Sequence, residues 1–191
     1  VNMLDLKNLN DKIAVVTGAS MGIGAATVKM LAEHGCKVIF CARNKDSIDH
    51  FCKSIKSNNK VLGFEADMGN EKSTNKFIKK VQSLCSVDIL VNYVGASPSR
   101  NFLYMTDDDW RSLHELNLLS AVRCTRAFLP HMREQKWGRV IMVSSSAGKY
   151  PNASLIDYGA TKAAMISISK SLAKKYGADG VLINSVLTGL D

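Results

Sequence analysis

Thr17-Gly18-Ala19-Ser20-Met21-Gly22-Ile23-Gly24 separates a short apolar run, Ile13-Ala14-Val15-Val16-Thr17, from an amphipathic stretch over residues 22–35. Glycines in a turn say little alone. Directly after a β-branched run and at the opening of a helix, they predict a backbone shaped around phosphate. Gly18 and Gly22 let the main chain approach an anion, and Gly24 lets the helix sit close to a strand. Ser20, Met21 and Ile23 complete a turn whose free N–H groups stand at the positive end of the helix dipole. A tight turn without a ligand is the plainer alternative. The helix it opens carries Ile23, Thr27, Met30 and Leu31 at helical spacing and stops on Gly35 as its C-cap.

Outward from that turn the pattern repeats. Lys37–Ala42, Lys60–Asp67, Val87–Asn92, Arg139–Ser144 and Val181–Val186 read as further strands. Between them lie predicted helices at Lys45–Ser57, with Ile48, Cys52 and Ile55 inward, and at Glu71–Cys85, with a stripe of Phe77, Ile78, Val81 and Leu84. A third begins at Thr106, an N-cap followed by three acids in the positive first turn, and runs to Pro130 or slightly beyond. The last spans Asp157–Tyr176. Strands alternating with helices predict an α/β fold, a doubly wound parallel sheet covered on both faces. No repeat or linker divides the chain, so residues 1–191 are expected to form one domain.

Composition excludes other classes. Of 191 residues, 46% are hydrophobic and 22% charged, and 3 prolines stand against 13 glycines, which rules out disordered and low-complexity chains. No apolar run approaches the roughly 20 residues that span a bilayer, and residues 1–12 carry two acids and no apolar leader, so no membrane partner is expected. The net charge of +8 admits anionic partners. Yet the nine basic and five acidic side chains from Arg43 to Lys80 are spaced as on the wet faces of helices, and no nucleic-acid motif accompanies them. Five cysteines, with no C-x-x-C and no zinc spacing, read as reduced thiols in the cytosol, and no metal is expected.

Two further stretches carry chemistry. An acid at the end of the second strand would hold a ribose 2′-hydroxyl; the chain reads Cys41-Ala42-Arg43-Asn44 there, and Arg43 suits a 2′-phosphate. NADP(H) is therefore expected over NAD(H). Asp67, after the third strand, is placed to meet the adenine or to serve as a turn aspartate. In Tyr158-Gly159-Ala160-Thr161-Lys162 a phenol and an ammonium share a helical face at i and i+4. A nearby cation favours the phenolate, which fits the pair to exchange a proton with a carbonyl or alcohol oxygen. Ser144-Ser145-Ser146 closes the fifth strand, at the sheet end where ligands bind, and one of the three could hold that oxygen.

With these motifs in order and register, the chain resembles the short-chain dehydrogenase/reductase family from about residue 10 onward, with a general similarity to its 3-oxoacyl-thioester reductases and its sugar or polyol dehydrogenases. The resemblance implies a Rossmann sheet of order 3-2-1-4-5-6. It selects Ser145, thirteen positions before Tyr158, and adds Asn117 as a fourth catalytic residue beside Ser145, Tyr158 and Lys162. Lys162 would also bind the nicotinamide ribose, with Tyr158 beside it, and Asn92, Gly95 and Gly189 would border the cofactor. The implied reaction is hydride transfer between NADP(H) and a carbonyl or secondary alcohol of a small molecule, in a cytoplasmic homodimer or homotetramer. Arg100, in the loop after the fourth strand, reads as an exposed arginine or as a contact for an anionic substrate.

The chain departs from the family pattern at three places. Tyr93-Val94 replaces Asn-Ala before Gly95, and Thr188 replaces Pro before Gly189. Members are also longer, with a helical substrate lid and a seventh strand after the sixth. A chain shortened at its C-terminus is expected, with the sixth strand as an apolar edge. These departures support an alternative, a catalytically weak cofactor-binding subunit of the same fold.

Overall fold

The computed structural model describes residues 9–56 and 60–189. Ser57, where the second helix was expected to end, lies outside them, as does most of the N-terminal stretch read as lacking a leader. Six parallel strands, β1 (Ile13–Thr17), β2 (Lys37–Ala42), β3 (Val61–Glu65), β4 (Ile89–Asn92), β5 (Gly138–Ser145) and β6 (Val181–Thr188), form one sheet in the order β3-β2-β1-β4-β5-β6. This is the expected doubly wound order, reversing between β1 and β4. Their carboxyl ends share one edge of the sheet, where Thr17 lies opposite Cys41 and Ser145 opposite Thr188.

Alternation along the strands feeds two cores, one on each face. Val15, Ile39, Cys41, Leu90, Val140 and Met142 point to one face and meet Phe77, Ile78 and Val81 of α3 (Glu71–Leu84). The same face receives Cys124, Phe128 and Met132 of α5 (Ser120–Glu134) and Met165 of α6 (Ile156–Tyr176). Ala14, Val16, Val38, Phe40 and Val91 point the other way, toward Val28 and Ala32 of α1 (Gly22–Glu33) and Ile48 of α2 (Lys45–Ser54).

Two readings of helix faces are corrected. The buried stripe of α1 is Gly24, Val28 and Ala32, while Ile23 is 51% and Met30 60% exposed. A helix lying close over a sheet needs small side chains beneath it, and the larger ones turn outward. Leu84, at the last turn of α3, is likewise exposed.

The long helix after Thr106 is not uniform. It comprises α4 (Asp107–His114), a π-helical turn at Glu115–Leu119, and α5. Thr106 and Asp109 form a reciprocal capping box at its start, and the chain stays helical through Pro130 to Glu134. Among the described residues no helix is long and apolar enough to cross a membrane.

Candidate active site

The glycine turn leaves β1 with Gly18 at φ +70° and Gly22 at φ +58°, backbone that an L side chain resists. The N–H of Ala19 donates to the carbonyl of Cys41 at 3.0 Å, fixing the turn to β2. Met21 precedes α1 in extended backbone and supplies no side-chain cap. The first N–H groups of α1 are therefore left for an external anion. Met21, Gly22 and Ile23 are exposed at this mouth, with Ser20 partly so.

Tyr93 accounts for one departure from the family pattern. A Cβ added at Gly24 would lie 2.7 Å from its Cδ1 and 2.8 Å from the carbonyl oxygen of Gly18. The ring thus packs against the glycine turn, into space that only glycine leaves. The N–H groups of Tyr93 and Val94 both donate to Thr17 Oγ1, at 3.1 and 3.3 Å. The hydroxyl closing β1 thereby anchors the loop leaving β4.

Asn92 turns inward. It is buried, its Nδ2 donates to Thr125 Oγ1 at 3.1 Å, and its Oδ1 has no partner among the described residues. Its amide is engaged with the interior beneath the expected ligand crevice. Arg43 and Asp67 do share a surface: both line a cleft of about 1040 Å³ past the ends of β2 and β3, together with Lys72 and Lys76. Asp67 Oδ1 accepts the N–H of Gly69 at 2.9 Å, the turn role foreseen beside the adenine role.

At the end of β5 the serines divide their work. Ser144 Oγ donates to the carbonyl of Lys162 at 2.8 Å, binding β5 to α6. Ser145 Oγ accepts the N–H of Ala147 at 3.2 Å, in a 3₁₀ turn over residues 146–148. Lys162 is 3% exposed, and its Nζ donates to the carbonyl of Val143 at 2.8 Å. Burial pulls its pKa down to about 8. The ammonium lies 5.7 Å from the centre of the Tyr158 ring. Gly95 passes close by: a Cβ there would be 3.2 Å from Lys162 Nζ and 3.3 Å from Asn117 Oδ1.

Asn117 sits in the π-helical turn, fully buried. Its Oδ1 accepts the N–H of Ala96 at 2.8 Å and its Nδ2 donates to the carbonyl of Ala96 at 2.9 Å. The same Nδ2 donates to Thr161 Oγ1 at 3.1 Å. The structure thus gathers Gly95, Asn117, Tyr158 and Lys162 in one place, at the sheet end that also carries Ser145. A Cβ at Gly189, after β6, would meet nothing within 4 Å among the described residues, and Thr188 Oγ1 donates to the carbonyl of Ser144 at 3.2 Å.

Arg100 is partly buried, its side chain 30% exposed, and it is paired within the protein. Its Nη1 lies 3.1 Å from Oδ2 of Asp157 and 3.6 Å from Oδ1 of Asp109, so its charge is spent within the protein. Sequence reasoning missed this pairing, although an acid one residue before Tyr158 was a visible signal. The partners are 57 residues apart and only the fold brings them together. All five cysteines are unpaired; burial pushes the Cys41 thiol up to about 12 and the Cys36 thiol to about 11, which holds both protonated.

Residues 12–190 match the family model described as short chain dehydrogenase. An uncharacterized oxidoreductase of Bacillus subtilis, YvrD, is 36% identical over 186 residues, covering 97% of this chain and 70% of its own length. The 3-oxoacyl-[acyl-carrier-protein] reductase FabG of Vibrio cholerae is 36% identical over 183 residues, 95% of this chain and 74% of that protein. L-sorbose reductase of Gluconobacter frateurii, solved with NADPH and L-sorbose, superposes with a TM-score of 0.93 at 30% identity, covering 98% of this chain and 72% of that one.

Proposed function

The chain belongs to the short-chain dehydrogenase family, and as an oxidoreductase of that family we propose that it reduces a small-molecule carbonyl with NADPH. Among its relatives are a 3-oxoacyl-thioester reductase and a sugar reductase, so the substrate class is a ketone or its secondary alcohol. The observation that carries the reading is the pairing of Tyr158 with a buried Lys162 ammonium, 5.7 Å from the ring, at the sheet end that also holds the uncapped α1.

The residues fit a dinucleotide. The α1 N-terminus and the turn from Gly18 to Gly24 suit the pyrophosphate, and the cleft lined by Arg43 and Asp67 suits the adenosine end with its 2′-phosphate. Arg43, in a β2 end that reads Ala42-Arg43-Asn44 without an acid, supports NADP(H) over NAD(H). Gly95 and Gly189 border the nicotinamide end, whereas Asn92 shapes the floor through Thr125. Bound NADPH supplies hydride to the carbonyl carbon. Ser145 donates a hydrogen bond to the carbonyl oxygen, and Tyr158 gives that oxygen its hydroxyl proton as the alcohol forms. Lys162, kept cationic near neutrality, favours the phenolate left behind. Asn117 holds the loop after β4 against α6.

The same reading takes residues 1–191 as one domain. It also takes the chain to act as a homo-oligomer in the cytosol, where five unpaired cysteines stay reduced. NADPH and NADH are titrated by fluorescence, and turnover is screened with 3-oxoacyl thioesters, diketones and keto-sugars. NADPH is expected to bind more tightly. Arg43→Ala should weaken NADPH alone, by about 10- to 100-fold, the worth of a charge-assisted phosphate contact. Tyr158→Phe should lower kcat by about 10²- to 10⁴-fold with NADPH binding kept. A variant as active as the parent would overturn the assignment of Tyr158. Binding of NADPH without any turnover would instead favour a cofactor-binding subunit, the alternative that the departures at Tyr93 and Thr188 support.

A further inference from the structure

Tyr158 needs to be held as well as tuned, and it stands in the first turn of α6, where the helix supplies no acceptor for its N–H. Leu155, at the start of α6, has no side chain able to cap, so the first N–H groups of the helix must find other acceptors. The N–H of Tyr158 donates to Oδ1 of Asp157 at 2.8 Å. Asp157 is 1% exposed, and a carboxylate at that depth requires a partner. Arg100 provides it, 3.1 Å from Oδ2, and extends to the carboxylate of Asp109 in the capping box of α4.

The carbonyl of Tyr158 is fixed from the other side. Thr161 Oγ1 donates to it at 2.8 Å and accepts from Asn117, which grips both backbone groups of Ala96. Both backbone polar groups of Tyr158 are therefore tied to the same loop, the N–H through Asp157 and Arg100, the carbonyl through Thr161, Asn117 and Ala96. Only the second route involves a residue that the family resemblance pointed to.

We propose that Arg100 is a positioning residue, which holds Tyr158 in place by pairing with Asp157 and so links the loop after β4 to the turn that carries the phenol. The proposal rests on the reading of Tyr158 as proton donor. The backbone that carries the phenol is held at its N–H by Asp157 and shifts when that carboxylate loses its partner, even with the carbonyl still tied through Thr161, and about 1 Å of misplacement can cost about 10²-fold in rate.

The test compares Arg100→Met, Arg100→Lys and Asp157→Asn in the full chain. With NADPH and a carbonyl that the parent reduces, Arg100→Met should lower kcat by about 10²-fold, with the KM for NADPH within about twofold of the parent. Arg100→Lys, which keeps a cation, should recover at least tenfold of that loss. Amide hydrogen exchange decides the matter without turnover. In Arg100→Met, residues 156–162 should exchange at least tenfold faster while β1, β4 and β5 keep the parent rates. If Arg100→Met does not fold, Asp157→Asn is expected to show the same confined loosening. Unchanged exchange at 156–162, a rise across all strands in every variant that folds, or a loss of kcat that lysine does not recover would each overturn the proposal. A parent without carbonyl turnover would overturn the functional reading, with the exchange result standing apart from it.

Discussion

A lysine placed as Lys162 is costs the protein stability. Its charge is almost fully removed from water and receives one short carbonyl contact, from Val143, in return. Burial lowers its pKa from 10.5 to about 8. Below pH 8 the folded and unfolded chains both carry the proton, so the penalty is present in full. Between pH 8 and 10.5 the unfolded chain holds more protons, and the folded state gains stability as pH rises. Lys162→Met should therefore be the more stable protein at pH 7, by up to about 3 kcal/mol, with the advantage shrinking across that window. Urea unfolding of both proteins at pH 7 and near the top of the window measures it. A methionine variant no more stable at pH 7 would mean that the Val143 carbonyl repays the burial.

The helical run from Thr106 to Glu134 carries Asn117 to the site, and its start is set by a local device. Thr106 Oγ1 accepts the N–H of Asp109 at 3.2 Å, and Asp109 returns a carboxylate to the N–H of Thr106 at 2.9 Å. Thr106→Ala should cost about 1 kcal/mol in thermal or urea unfolding, the usual worth of a cap, and a loss below about 0.3 kcal/mol would mean that Asp109 holds the start alone. This element also marks how far the chain could be read as sequence. The N-cap, the acids after it and the passage through Pro130 are local signals, and all were legible. The six strands were legible too, as short apolar runs alternating with helical spacing, whereas their order came only with the family resemblance. The π-helical turn was not legible, and the partners of its Asn117, Ala96 and Thr161, are distant in sequence. The exposure of Ile23 and Met30 was hidden for a related reason. Spacing marks a stripe, but which stripe faces the sheet depends on how closely the helix lies over it. At the site, Tyr158, Lys162 and the glycine turn could be read from spacing, whereas the ion pair of Arg100 and the inward turn of Asn92 depend on residues distant in sequence.

For the molecule as a whole, two surface properties act against each other. The net charge of +8 drives copies apart. Among the described residues β6 is an edge strand, and Leu182, Val186 and Leu187 are exposed along it. Its outward N–H and carbonyl groups offer a template to any second strand, and the apolar side chains reward pairing. At about 0.01 M salt the repulsion reaches roughly 30 Å and should dominate; at 0.15 M it is screened within about 8 Å, and edge pairing should prevail. Self-association should thus increase with salt, opposite to the behaviour of contacts made by opposite charges. Val186→Lys places a charge on the edge, which native sheets use to prevent pairing, and should keep the chain dissociated at the higher salt. Sedimentation velocity of parent and variant at both salt concentrations separates the cases. Association of Val186→Lys equal to that of the parent would move the contact away from β6, and association that weakens with salt would assign it to charged surfaces instead.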